Sequence, residues 1–76
     1  MNKESAKIQA GLLLKLINEV SNIQVDLSNS CESECKGKTI DDMNEYYILN
    51  YQETYYTLSK IVDIAAQRFY ELNQIK

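Results

Sequence analysis

Residues 28–42 read SNSCESECKGKTIDD, and how this stretch is understood sets the architecture of the whole chain. It holds both cysteines, Cys31 and Cys35, one of the two glycines, Gly37, and six charged side chains. A structural zinc site wants four Cys or His ligands, whereas the chain has two cysteines and no histidine. No metal and no cofactor are therefore expected, short of two chains sharing one site. The C-x-x-x-C spacing of one helical turn leaves the pair open to free thiols or to a disulfide, which needs Cα atoms within about 7 Å. The residues after the cysteines are more informative. Gly37 offers the backbone freedom of a turn, and Thr39 with Asp42 three residues later forms a capping-box pattern, Asp standing for the usual Glu. Asp41, Asp42 and Glu45 would then lie near the positive end of a helix dipole. The stretch reads as a turn over residues 30–39, with Cys35, Gly37 and Thr39 as its motif.

On the N-terminal side of this turn, residues 3–29 predict a first helix. Ala6, Ala10, Leu12, Leu13, Leu16, Ile17, Val20, Ile23 and Leu27 fall on one broad arc, with Ala6, Leu13, Val20 and Leu27 seven apart. On the C-terminal side, residues 40–75 predict a second, with a stripe through Met43, Tyr47, Tyr51, Leu58, Ile61, Val62, Ala65, Phe69 and Leu72. There is no proline, and no glycine after Gly37, so nothing obvious interrupts that second helix. The reading is an all-α, two-helix antiparallel hairpin in a single domain spanning residues 1–76. Both stripes are wider than one shared seam requires. This predicts assembly into a four-helix bundle, as a homodimer or with another helical protein. The expected partner and bundle interface is Leu13, Leu16, Val20, Ile23 and Leu27 against Tyr47, Tyr51, Leu58, Val62, Ala65, Phe69 and Leu72. Leu16→Asp and Leu58→Asp are each expected to disrupt the fold, because a buried unpaired carboxylate costs several kcal/mol.

Five tyrosines crowd the segment NEYYILNYQETYYTL, residues 44–58. Rings at this density can stack on single-stranded nucleic acid, but such sites also gather Lys and Arg, and here the neighbours are Glu45 and Glu53. An amphipathic interface suits them better, each ring buried and its hydroxyl left wet. Leu49 and Tyr56, seven residues apart, form a candidate outer patch off the core stripe.

The charge balance agrees. The net charge of −3 divides into +2 over residues 1–15, −6 over residues 16–53 and +1 over residues 54–76. A chain that folds back at residues 30–40 has an acidic turn end and a mildly basic terminal end. No basic stripe is present, so nucleic acid is not the expected partner. The acid pairs Glu32/Glu34 and Asp41/Asp42 read as solvated and capping charges, and no nucleophile–base pair or phosphate loop is visible, so no enzyme is expected. Residues 8–20 are apolar in part but interrupted by Lys15, Asn18 and Glu19. They are too short and polar to span a bilayer and lack a cleavage site, so no stable membrane insertion is expected. The product is expected to be cytoplasmic when made, and compatible with export beside a partner without a cleaved signal.

The order helix, short central motif with glycine, helix resembles the WXG family of small helical-hairpin proteins of type VII secretion. Cys35-Lys36-Gly37 stands where that family carries tryptophan-x-glycine, and Lys38-Thr39-Ile40-Asp41-Asp42-Met43 resembles the start of its second helix. Cysteine replaces the tryptophan. The family's Tyr-x-x-x-Asp/Glu export signal has no counterpart, since Tyr70 is followed four residues later by Gln74. The resemblance implies an accessory or targeting subunit, chaperone-like, that binds the helical N-terminal region of an LXG-type toxin and relies on that partner for the signal. Two other readings stay open: a homodimeric four-helix-bundle regulator, and a small immunity or antitoxin protein whose acidic turn blocks a basic target.

Overall fold

The structure, a computed structural model, describes residues 1–75. Three helices account for nearly all of them: α1 (Lys3–Glu34), α2 (Ile40–Asn50) and α3 (Gln52–Asn73). Helix α1 starts where the Asn2 side chain accepts the Ser5 N–H at 2.8 Å, with Glu4 in the first turn. Both features satisfy the bare amides and the positive dipole end. It then runs for 32 residues, about 48 Å at the usual rise. That is one turn further than the expected end near residue 29. Ser28, Asn29 and Ser30 are weak helix formers but not breakers, and Cys31 extends the buried stripe one turn beyond Leu27.

The turn is accordingly short. The Cys35 N–H donates to the carbonyls of Cys31 and Glu32 at 3.1 and 3.2 Å, ending α1. The Lys38 N–H donates back to the Cys35 carbonyl at 3.0 Å, with Gly37 at φ +84° inside that loop. A side chain is strongly disfavoured at this angle, so glycine is required there. Thr39 Oγ1 then accepts the Asp42 N–H at 3.2 Å and starts α2, with Asp41 and Asp42 in its first turn.

The single second helix expected from the sequence is in fact two. Tyr51, at φ −126° and ψ −28°, ends α2 and begins α3. That φ lies about 60° from helical values. Neither glycine nor proline causes the break. Residues 46–51 are Tyr, Tyr, Ile, Leu, Asn and Tyr, dominated by aromatic, β-branched and amide side chains that favour a helix poorly. The Asn50 side chain also donates to the Tyr46 carbonyl at 3.0 Å, while the Tyr51 N–H still donates to the Tyr47 carbonyl at 2.8 Å, so the chain bends at Tyr51 without losing that bond. The two-helix hairpin completed by dimerisation is therefore corrected to an all-α bundle of three helices within one chain.

The bundle measures 55 × 15 × 13 Å, a cross-section that holds two helices abreast. Helices α2 and α3 therefore follow one another along α1. At the terminal end Ala6 and Ala10 of α1 meet Leu72 of α3, flanked by Leu13, Phe69 and Ile75. Midway, Gln24 Nε2 donates to Ser59 Oγ at 2.9 Å and reaches the Tyr55 carbonyl at 3.4 Å, tying α1 to α3. Low numbers on α1 thus face high numbers on α3, the antiparallel sense. Val20, Cys31, Cys35 and Ala65 are the other buried residues.

Candidate functional site

The turn end is built around Glu34, the last residue of α1. Its carboxylate accepts the Tyr46 hydroxyl from α2 and also draws on the Tyr51 hydroxyl at the break. Lys38 Nζ sits 4.4 Å from the centre of the Tyr46 ring, and the Tyr46 and Tyr51 rings pack 6.1 Å apart. Both tyrosines respond to the carboxylate. The hydrogen bond to Glu34, with burial second, pushes Tyr51 up to about 12 and raises Tyr46, while the two hydroxyls hold Glu34 below its ordinary value. In the sequence Glu34 reads as a solvated loop charge. The signal that reading lacks is position, because Glu34 faces α2 only once α1 runs through to it.

Cys31 and Cys35 lie beneath this cluster as free, buried thiols, Cys35 only 1% exposed. They are helix and helix-cap residues, not residues of a loop. Burial is the main cause that raises the Cys31 thiol, followed by its neighbour Cys35. Buried thiols held neutral act as small apolar side chains. Among the described residues no group of three or more His, Cys, Asp or Glu side chains is placed to hold a metal ion.

The interface expected from the sequence divides in two. Val20, Ala65 and Leu72 are buried, and Leu13, Leu27, Tyr47, Tyr51, Leu58, Val62 and Phe69 are half-buried. Leu16, at 39% exposure, and Ile23 stand outside the seam between α1 and α3. They belong instead to a stripe of exposed apolar residues, Leu12, Leu16 and Ile23, spaced four and seven apart along α1. Ile61 and Ile64, the latter 70% exposed, line the same side from α3. Between the two helices lies a shallow groove of about 320 Å³, lined by Leu13, Leu16, Ile61, Ile64, Ala65 and Arg68. A second apolar depression, lined by Gln9, Leu12, Leu13 and Arg68, continues it towards the chain termini. The groove exists because two antiparallel helices cover only one arc of each other, while both stripes are broader than that arc.

Leu49 and Tyr56 are both exposed, Leu49 at 73%. Ile48 is exposed beside them in sequence, and Leu49 borders a depression with Lys38, Asp42, Glu45 and Tyr46. This outer region is polar at its rim, unlike the groove. Among the described residues no helix is long and apolar enough to cross a membrane. Comparison with known proteins finds no matching family model, no matching curated protein and no matching solved structure.

Proposed function

We propose that this chain is a non-catalytic helical interaction protein whose groove beside the α1–α3 seam receives a helix of another protein. One observation carries the reading: Leu12, Leu16, Ile23, Ile61 and Ile64 are all exposed on one side of the molecule, around a groove with almost no polar lining. Contiguous apolar surface of this kind marks interaction sites, and an amphipathic helix laid into a groove is a common way to cover it. A protein partner suits the charge better than nucleic acid, because the tyrosine-rich segment carries Glu45 and Glu53 and the net charge is −3.

Within that class, the resemblance to WXG proteins supports a narrower reading. The chain would be an accessory or targeting partner, chaperone-like, of the helical N-terminal region of a type VII LXG-type toxin, made in the cytoplasm and exported with it. The Cys35-Lys36-Gly37 turn between α1 and α2 favours this reading, as does the uncovered apolar face. Co-expression with the product of the adjacent gene, followed by size-exclusion chromatography with light scattering, tests it. A stable heteromer is expected, lost in the Leu16→Asp, Ile64→Asp double variant while the circular dichroism spectrum is retained. A chain that elutes alone beside a helical toxin front end would sink the narrower reading. Intact complex in the double variant would remove the groove as the site.

A further inference from the structure

We infer that Cys31 and Cys35 form a reversible thiol–disulfide site, oxidised by a low-molecular-weight disulfide, whose closure remodels the end of α1 and frees α2. The site lies at the turn end and does not depend on what the groove binds. The Cys35 N–H donates to the Cys31 carbonyl at 3.1 Å, so the two residues sit one helical turn apart. Both side chains are buried and both thiols are free. They face α2. Gln24 meets Tyr55 and Ser59 of α3, and in an antiparallel pair later turns of α1 meet earlier residues. Tyr46, Tyr47 and Tyr51 accordingly lie near enough to Cys31 for a thiolate there to raise all three hydroxyls.

Little holds α2 in place over the thiols. None of its 11 residues is buried, and it lies between the Gly37 turn and the Tyr51 break. Among the described residues one side-chain hydrogen bond ties it to α1, from the Tyr46 hydroxyl to Glu34. An element with so few buried groups opens at a lower free energy than the whole chain unfolds. The thiols are inert while α2 covers them and reactive when it lifts.

Oxidation then runs by two exchanges. One cysteine thiolate attacks a sulfur of the small disulfide, forming a mixed disulfide and expelling one small thiolate. The other cysteine attacks the protein-bound sulfur, closes the Cys31–Cys35 bond and expels the second. Two protein thiols are oxidised, the small disulfide is reduced to two thiols, and the two cysteine protons end on them. Residues one turn apart have Cα atoms about 6 Å apart, within reach of a disulfide. Their Cβ atoms stand about 5–6 Å apart in a helix, whereas the bond needs about 3.5–4.5 Å. The last turn of α1 must therefore unwind, and Glu34 lies inside it. Its carboxylate is drawn away from Tyr46 and Tyr51, and α2 loses its tie.

The test incubates the full reduced chain with glutathione disulfide in native buffer and follows it by intact mass and peptide mapping. A Cys31–Cys35 bond within the monomer is expected, absent from Cys31→Ala and Cys35→Ala and reversed by dithiothreitol. Hydrogen exchange over residues 40–51 should be at least about tenfold faster in the oxidised chain, with α3 unchanged. Glu34→Gln weakens only the tie to α2 and should speed oxidation at least about threefold. A bond that forms only at urea concentrations that unfold the whole chain makes the cysteines plain core residues and overturns the inference. Mixed or interchain disulfides as the end product do the same. An intrachain bond that leaves exchange over α2 unchanged overturns the release of α2, and the inference with it.

Discussion

At Gly37 the chain stands at φ +84°, and nothing lies within 4 Å of where a Cβ would be. Replacing it with alanine therefore creates no clash, so a loss of stability reports the strained backbone, less what alanine gains by restricting the unfolded chain. Gly37→Ala is expected to destabilise the fold by about 1–2 kcal/mol, read from urea titrations by the shift in midpoint. Glu34 and its tyrosines give a second expectation for single side chains, in pH. Tyr51 rises from an ordinary 10.0 to about 12 because the folded state favours its neutral form, so its contribution is complete below pH 10 and is lost between 10 and about 12. Glu34 moves the other way, below its ordinary 4.5, so its contribution is complete above that value and is lost as the pH falls through the lower folded value. The melting temperature should therefore fall on both the acid and the alkaline side, and Glu34→Gln should flatten both limbs. An unchanged alkaline limb in Glu34→Gln would show that the carboxylate does not hold the tyrosines.

Among the elements, the start of α2 is legible because a single side chain makes it: Thr39 capping the Asp42 N–H, one half of the expected capping box, reads the same in sequence and in space. The length of α1 is not, because the polar run from Ser28 to Glu34 hides a buried cysteine, Cys31, that continues the apolar stripe towards Cys35 at the cap. The break at Tyr51 is hidden for a different reason. Helix breaks are recognised by glycine and proline, and this one coincides instead with three tyrosines, Ile48 and the Asn50 side chain on the Tyr46 carbonyl. Asn50→Ala removes that side-chain bond and substitutes the best helix former. It should raise stability by about 0.5 kcal/mol and increase helical ellipticity, with slower amide exchange around residues 48–54. Faster exchange there would mean that the Asn50 side chain supports the break instead of causing it.

Taken together, the three helices enclose a thin interior. Among the described residues its buried ones are Ala6, Ala10, Val20, Cys31, Cys35, Ala65 and Leu72, most of them small, with Leu72 the large side chain left 2% exposed. The breadth of the apolar stripes is legible from the helical spacing, but not which part of each stripe the chain covers for itself. Residues near the centre of each arc, such as Val20 and Ala65, are buried. Those at the flank, Leu16 and Ile64, are left to line the groove. This changes the expectation for Leu16→Asp. A carboxylate at a position 39% exposed keeps its water, so the substitution is expected to leave the fold intact, where burial in a seam would have destroyed it. Leu72→Ala is the opposite case. It empties the centre of the Ala6–Ala10–Leu72 cluster and should cost about 2–5 kcal/mol, a large part of the roughly 5–15 kcal/mol that holds a small domain folded. Thermal melts of the two variants side by side should place Leu72→Ala far below the parent and Leu16→Asp within a few degrees of it. If Leu16→Asp melts as low as Leu72→Ala, the exposed stripe is part of the folding core and the groove cannot be a surface kept for a partner.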